Sequence, residues 1–344
     1  MNARLKILCL TLFGGLLLSS QPSQGQTLLT LHHFTNTPDG ANPRGGLILS
    51  GGFLYGTTQQ GGSLGAGTIF RINPDGTGIT NLHNFPPLEV SATLETFTNG
   101  DGAYPVLVLV DAAGTLYGTS AFGGTNGDGT IFSLSADGSV FTVLYTFSRV
   151  VGSGSEGTNS DGSGPSSSLI LSGDTLYGVT MTGGASACGA LFAINTNGLG
   201  FTNLHSFTGG GGGRTPAGGL RLSGSTLFGT TAQGGANTEG MVYSIQTDST
   251  GFSDLFDFPN DYTDGNSEGA FPQGTLVLSG ETLYGAASSG GIGGAGGAGV
   301  IFSLAADTPH AFTNLHSFNS SIDGGDPIMD LILVDGVLYG TTIS

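Results

Sequence analysis

Leu116-Tyr117-Gly118-Thr119, followed by Gly123-Gly124, Gly129-Thr130-Ile131-Phe132 and Leu144-Tyr145-Thr146-Phe147, is the stretch on which the reading of this chain turns. Its first phrase recurs as Leu54-Tyr55-Gly56-Thr57, Leu176-Tyr177-Gly178-Val179, Leu227-Phe228-Gly229-Thr230, Leu283-Tyr284-Gly285-Ala286 and Leu338-Tyr339-Gly340-Thr341. Twelve residues ahead of each aromatic stands a proline: Pro43, Pro105, Pro165, Pro216, Pro272 and Pro327. A Gly-Gly pair begins six residues after the aromatic, at Gly61, Gly123, Gly183, Gly234 and Gly290. Each unit closes on Leu-x-x-Phe, ending at Phe85, Phe147, Phe207, Phe258 and Phe318. The aromatics step by 51 to 62 residues, so one supersecondary unit is repeated along the chain.

Each unit reads as four short strands. Strand A is the run after the proline, with Leu47, Leu109, Leu169, Leu220, Leu276 and Leu331 at one fixed place. Strand B is the Leu-Tyr-Gly-Thr phrase, strand C follows the Gly-Gly loop, and strand D ends at Leu-x-x-Phe. The C–D hairpins carry Asp75-Gly76, Asp137-Gly138 and Asn197-Gly198, pairs expected to take positive φ in two-residue turns. A ring of such units predicts an all-β fold, a β-propeller of about six four-stranded blades with the last incomplete. The units centre on Tyr55, Tyr117, Tyr177, Phe228, Tyr284 and Tyr339. A β-solenoid is the competing fold, but its rungs are shorter, about 20–30 residues.

Leu31-His32-His33-Phe34 also fits the strand D phrase, and the chain ends on strands A and B of the sixth unit. The missing strand C predicts either an irregular last blade or a coding sequence that continues past Ser344; truncation is the expectation preferred. Gaps from Phe to the next proline are 9, 20, 18, 9, 14 and 9 residues, whereas spacings within a unit are nearly fixed. In an up-and-down sheet the D–A and B–C loops share one end, so the length variation gathers on one face. That face is where a rigid scaffold places binding residues.

Composition narrows the function. Of 344 residues 65 are Gly and only 31 are charged, with no Trp and a net charge of −17. Internal Gly costs a helix about 1 kcal/mol each relative to Ala, which excludes bundles and coiled coils. One lysine and six arginines cannot neutralise a phosphate backbone. Nucleic acid and anionic membrane surfaces are therefore excluded as partners. At the N-terminus, Arg4 and Lys6 precede the apolar run Ile7 to Leu18, with Ser23 and Gly25 as small residues before a cleavage site. Residues 1–25 are expected to be a secretory signal peptide, leaving residues 26–344 as a secreted or extracytoplasmic repeat domain. Without Arg4 and Lys6 the net charge becomes −19. Cys188 then stands alone, and no base beside it in sequence marks it as a nucleophile, so it is read as a small buried hydrophobe.

Recurring polar residues have bland readings. Asp39, Asp101, Asp161, Glu268 and Asp323 stand four residues before their prolines, with Gly212 in the fourth unit, and are read as turn formers. His32, His83, His205 and His316 share a slot with Tyr145 and Phe256, so the slot is read as aromatic packing. Asp261, Asp264, Asn266 and Glu268 form the densest oxygen cluster and are the one calcium candidate. No other cofactor and no catalytic residue is expected.

Taken together, Leu-Tyr-Gly-Thr, Gly-Gly, Gly-Thr-Ile-Phe and Asp-Gly-x-x-Pro resemble the GloVer tandem repeat of secreted bacterial choice-of-anchor proteins. The resemblance spans residues 28–344 and implies an extracytoplasmic repeat protein without assigned catalytic residues. The expected function is a secreted or cell-surface scaffold that binds polysaccharide or an envelope protein through the D–A/B–C face, a monomer if the ring closes. A carbohydrate-active or other hydrolytic propeller is the alternative, and a calcium-stabilised adhesin the third reading.

Overall fold

The computed structural model describes residues 4–5, 29–43, 45–91, 96–106, 109–111, 113–152, 156–165, 167–260, 266–292, 297–328 and 330–343. Five antiparallel sheets follow one another along the chain, each in the order A-B-C-D, and a sixth unit contributes A and B. In the first unit B is Phe53–Gln60, C is Thr68–Ile72 and D is Thr80–Asn84. In the third they are Thr175–Thr182, Ala190–Asn195 and Thr202–Ser206. The fourth has A at Arg221–Ser223, B at Thr226–Thr231, C at Met241–Gln246 and D at Ser253–Asp257. In the sixth, A is Ile332–Val334 and B is Val337–Tyr339. Arg4–Leu5 lies parallel beside Val337 and Leu338; the rest of the expected signal peptide falls outside the described residues.

Strand A differs from its expected form. In the first unit it has two pieces, Ala41–Pro43 and Ile48–Ser50, both paired with strand B. The second, third and fifth units repeat this division. The proline therefore lies inside strand A rather than ahead of it. A is the edge of its sheet, where a residue lacking an N–H removes no ladder bond. The C–D turns are also corrected. Gly76, Gly138 and Gly198 have positive φ, but Asp75, Asp137 and Asn197 do not. Gly76 donates to the Asn73 carbonyl and Asn73 to that of Thr77, so this turn is a type I turn closed by a left-handed glycine.

Alternating side chains of one strand serve two different cores. Leu116 belongs to the cluster shared with the first unit, whereas its neighbour Tyr117 packs with Leu169, Leu176 and Phe192 of the third. Leu227 and Phe228 divide in the same way between the third and fifth units. Among the described residues every apolar cluster joins two consecutive units, so consecutive sheets are stacked face to face and share their cores. The odd spacing of Leu-x-x-Phe has a structural cause as well. The C–D register shifts once in each of the five sheets, leaving Leu82 as the extra residue between His83 and Asn81 in the first. That bulge breaks the two-residue period and turns Leu82 and Phe85 into the same cluster.

The glycine of strand B is required for space. A Cβ on Gly178 would lie 2.5 Å from Phe192 Cζ and 2.8 Å from Leu169 Cδ2. Gly56 and Gly285 meet the matching Phe and Leu in the same way. In the fourth unit that Phe is Tyr243, fully buried, with its hydroxyl without a hydrogen-bond partner and its ionisation pushed upward by burial. An unpaired buried hydroxyl costs about 1–3 kcal/mol. Tyr243→Phe is therefore expected to raise the melting temperature of the full chain by a few degrees. A fall in melting temperature would show that the hydroxyl is bonded.

Candidate functional site: the D–A and B–C loop face

Antiparallel order puts the D–A and B–C loops at one end of every sheet, and hydrogen bonds tie them together. Gly62 donates to the Asn36 carbonyl, Asn99 to that of Gly124, Asn159 to that of Gly184, and Gly291 to that of Asn266. An asparagine side chain staples the join. Asn159 Oδ1 accepts from Gly162 and Gly184 at 2.9 and 2.8 Å, while its Nδ2 donates to the Ser148 and Gly162 carbonyls. Asn99 does the same in the second unit. Asn266, one of the calcium candidates, is bonded in this way to Glu268, Gly269 and Pro259. Asp261 and Asp264 lie outside the described residues. Among the described residues no group of three or more metal-ligating side chains converges.

The recurring acids and the recurring His slot, read separately in the sequence, meet across consecutive units. His32 Nε2 lies 2.7 Å from Asp39 Oδ2, and His316 Nε2 lies 2.7 Å from Asp323 Oδ2. Tyr145 donates to Asp161 at 2.8 Å. His83 approaches Asp101 at 3.1 Å without hydrogen-bond geometry. Partial burial would raise the Asp39 carboxyl, but hydrogen bonds from Thr35 and His32 outweigh it and hold the group at about 2. Burial pushes His83 down, opposed by Asp101. Above the slot, an aromatic ring of the following unit stacks: Phe141 on His83 at 3.8 Å, Phe201 on Tyr145 at 4.1 Å, Phe252 on His205 at 3.9 Å, and Phe312 on Phe256 at 4.2 Å.

The exceptions follow the same logic. His205 faces the unit whose acid is Gly212; its Nε2 is buried without a partner, and burial lowers its basicity. Thr208 stands where Thr35 supports Asp39, so Gly212→Asp would complete a His-acid-Thr set. The only close neighbour of a Cβ there is the Thr208 side chain, which can rotate. A charge-assisted hydrogen bond at this half-exposed place contributes about 1 kcal/mol, so the melting temperature should rise by about 1–2 °C. Because the folded pKa of His205 lies below its unfolded value, its neutral form supports the fold above pH 6.5 and that support is lost as pH falls. The introduced carboxylate favours the protonated ring, so the gain should be larger at pH 5.5 than at pH 8. An unchanged melting temperature at both would refute the pairing.

The fourth unit breaks the repeat in further places. Arg214 stands where the others have Ala41, Ala103, Ser163, Ala270 and Gly325. Glu239 stands where they have Ala66, Asp128, Cys188 and Ala298. Cys188 is half-buried rather than buried, since this position lies in the B–C loop and only partly reaches the core below it. Arg214 and Glu239 line one cavity of about 340 Å³ with Gly210, Gln233, Thr238 and Phe271. Glu239 is 4% exposed and accepts from Thr238 Oγ1 at 3.2 Å; Arg214 Nε is buried without an acceptor. On the outer strand of the same unit, Asp254 and Asp257 replace the Asn81 and Asn84 of the first. Asp254 is an exposed residue, yet loss of water around its carboxyl, then the hydrogen bond and charge of Asp257, push it up to about 7. Aligning the six units by their prolines exposes Arg214 and Glu239 in the sequence; that they share a cavity is a tertiary fact.

The chain belongs to the Gloeobacter/Verrucomicrobia repeat family, whose repeat matches residues 13–158, 87–292 and 155–344. Among curated proteins none matches. Solved structures similar to it include a nidogen/laminin complex, at 12% identity and a TM-score of 0.46, covering 84% of this chain and 80% of that one. A putative TolB from Agrobacterium tumefaciens is similar at 10% identity and a TM-score of 0.44, covering 86% and 84%. TolB from Acinetobacter baumannii is similar at 12% identity and a TM-score of 0.42, covering 73% and 49%.

Proposed function

We infer that this protein is a secreted scaffold whose repeats close into a propeller of about six units and whose D–A/B–C face binds polysaccharide. The reading of residues 29–34 as a strand D, which closure requires, is supported by their packing. A Cβ on Gly76 would strike the Leu31 backbone, as one on Gly138 strikes Leu82 and one on Gly198 strikes Leu144. Residues 29–34 thus pack on the first unit as the D strands of the first and second units pack on the next.

The observation that carries the function is where the departures from the repeat gather. The long D–A loops and the Arg214–Glu239 cavity lie on the D–A/B–C side, beside the exposed Leu64, Val90, Phe97, Phe122, Val151, Ile292 and Ile322, while Leu49, Val140, Leu199 and Val334 are exposed at the other end. Binding rather than hydrolysis fits the cavity: glycosidases generally use a pair of carboxylates, and among its described lining residues Glu239 is the one carboxylate. The test is retention of the full chain on insoluble polysaccharides, with and without serine at Val90, Phe97, Phe122 and Val151. Retention of the wild type and loss by the variant are expected. Equal retention would overturn the assignment of the face, and retention only by isolated envelope protein would replace polysaccharide with a protein partner.

A further inference from the structure

We propose that the cavity between the fourth and fifth units, walled by Arg214, Gln233, Thr238, Glu239 and Phe271, is a subsite for an uncharged sugar residue of a polysaccharide. The proposal rests on the reading of the D–A/B–C face as the binding face and adds a place and a ligand class to it. The cavity, about 340 Å³, has the size of the smaller small-molecule sites, which start at about 300 Å³.

Its chemistry is that of a polyol site. Arg214 offers a rigid fork of donors, of which Nε is buried and unpaired, so a ligand hydroxyl that accepts there satisfies a group the fold leaves open. Glu239 brings an acceptor, oriented by Thr238 at 3.2 Å. A vicinal diol presents both a donor and an acceptor, and can use the two together. Phe271, half-buried with φ of 57°, is held by the bond from its N–H to the Glu239 carbonyl at 2.8 Å. Its ring supplies the apolar wall against which the C–H face of a pyranose rests.

Charge selects the class. Arg214 and Glu239 oppose one another, so the walls favour neither an anion nor a cation, and a chain of net charge −17 repels polyanions at long range. The arrangement is confined to this junction. The register positions of Arg214 and Glu239 are otherwise small side chains, apart from Asp128, which is occupied by Ser163 at 2.5 Å and the Val150 N–H at 3.0 Å.

The experiment is affinity electrophoresis of the full chain in gels containing laminarin, dextran or galactan, with alginate as the polyanionic arm. Arg214→Met, Phe271→Ala and the exposed Gln233→Ala are run beside the wild type, with melting curves to establish folding. Retardation by a neutral glycan, weakened at least tenfold by Arg214→Met or Phe271→Ala and measurably by Gln233→Ala, is the expected result. Equal retardation of wild type and all folded variants would overturn the subsite while leaving the face as a polysaccharide binder. Retardation by alginate alone would overturn the uncharged class. No retardation by any glycan would overturn the polysaccharide reading itself.

Discussion

Gly178→Ala should lower the melting temperature of the full chain by about 2–4 °C, although Ala is ordinarily the milder residue in a strand. Gly178 does not occupy the left-handed region, so no backbone strain enters. The cost comes from the new methyl, 2.5 Å from Cζ of Phe192 and 2.8 Å from Leu169. Phe192 is fully buried between the second and third units and cannot retreat without disturbing Phe147 and Phe201. Overpacking of this kind costs about 1–3 kcal/mol. Shortening the obstructing ring should relieve it. In the pair Gly178→Ala with Phe192→Leu, the two losses should be less than additive, because the second change removes the atom that the first strikes. Additive losses would show that the glycine is retained for another reason.

Gly129→Ala should have a larger effect still, about 3 kcal/mol or more, because two costs coincide. Gly129 has φ of 101°, outside the comfortable range of an L-residue, and its Cβ would lie 2.5 Å from the Ser120 carbonyl oxygen and 2.7 Å from Pro165 Cδ. The second contact crosses from one unit to the next. Gly67 faces Pro105, Gly189 faces Pro216, Gly240 faces Pro272 and Gly299 faces Pro327 in the same manner. Beside each contact, the residue before the proline donates its N–H across the junction: Tyr104 to Ala66, Gly164 to Asp128, Thr215 to Cys188, Phe271 to Glu239 and Asp326 to Ala298. These donors have positive φ, a conformation that a residue preceding proline avoids elsewhere. The invariant proline and the glycine of Gly-Thr-Ile-Phe are thus two halves of one junction. Gly173→Ala provides the control: its φ of 57° is also left-handed, but nothing lies within 4 Å of its Cβ. It should cost about 1 kcal/mol, and the difference between the two variants measures the two close contacts, at Ser120 within the unit and at Pro165 across the junction, together. Equal losses would mean that the proline contact contributes nothing.

What the sequence by itself determined was the unit and its strand content. Strands B, C and D pair with their immediate neighbours in the chain, so a two-residue alternation and a few fixed offsets were enough to define them. The sequence also located the face on which length varies, since antiparallel order makes that a question of counting.

Tertiary structure decided how one unit meets the next. Asp39 and His32 looked like a turn former and a packing residue, because each was judged by its place in the repeat; only the folded course of the segment between them brings Oδ2 within 2.7 Å of Nε2. Gly212 and the unpaired Nε2 of His205 make sense only within that pairing. The bulge at Leu82, the division of strand A around Pro43, and the meeting of Arg214 with Glu239 in one cavity each lie within a single unit, yet they too depend on how strands and loops fold back on one another rather than on residue spacing. Contacts within a unit recur at constant sequence separation and leave a period, whereas contacts across a junction are separated by D–A loops of unequal length. The period therefore carries the strands, and the three-dimensional stacking carries the sites.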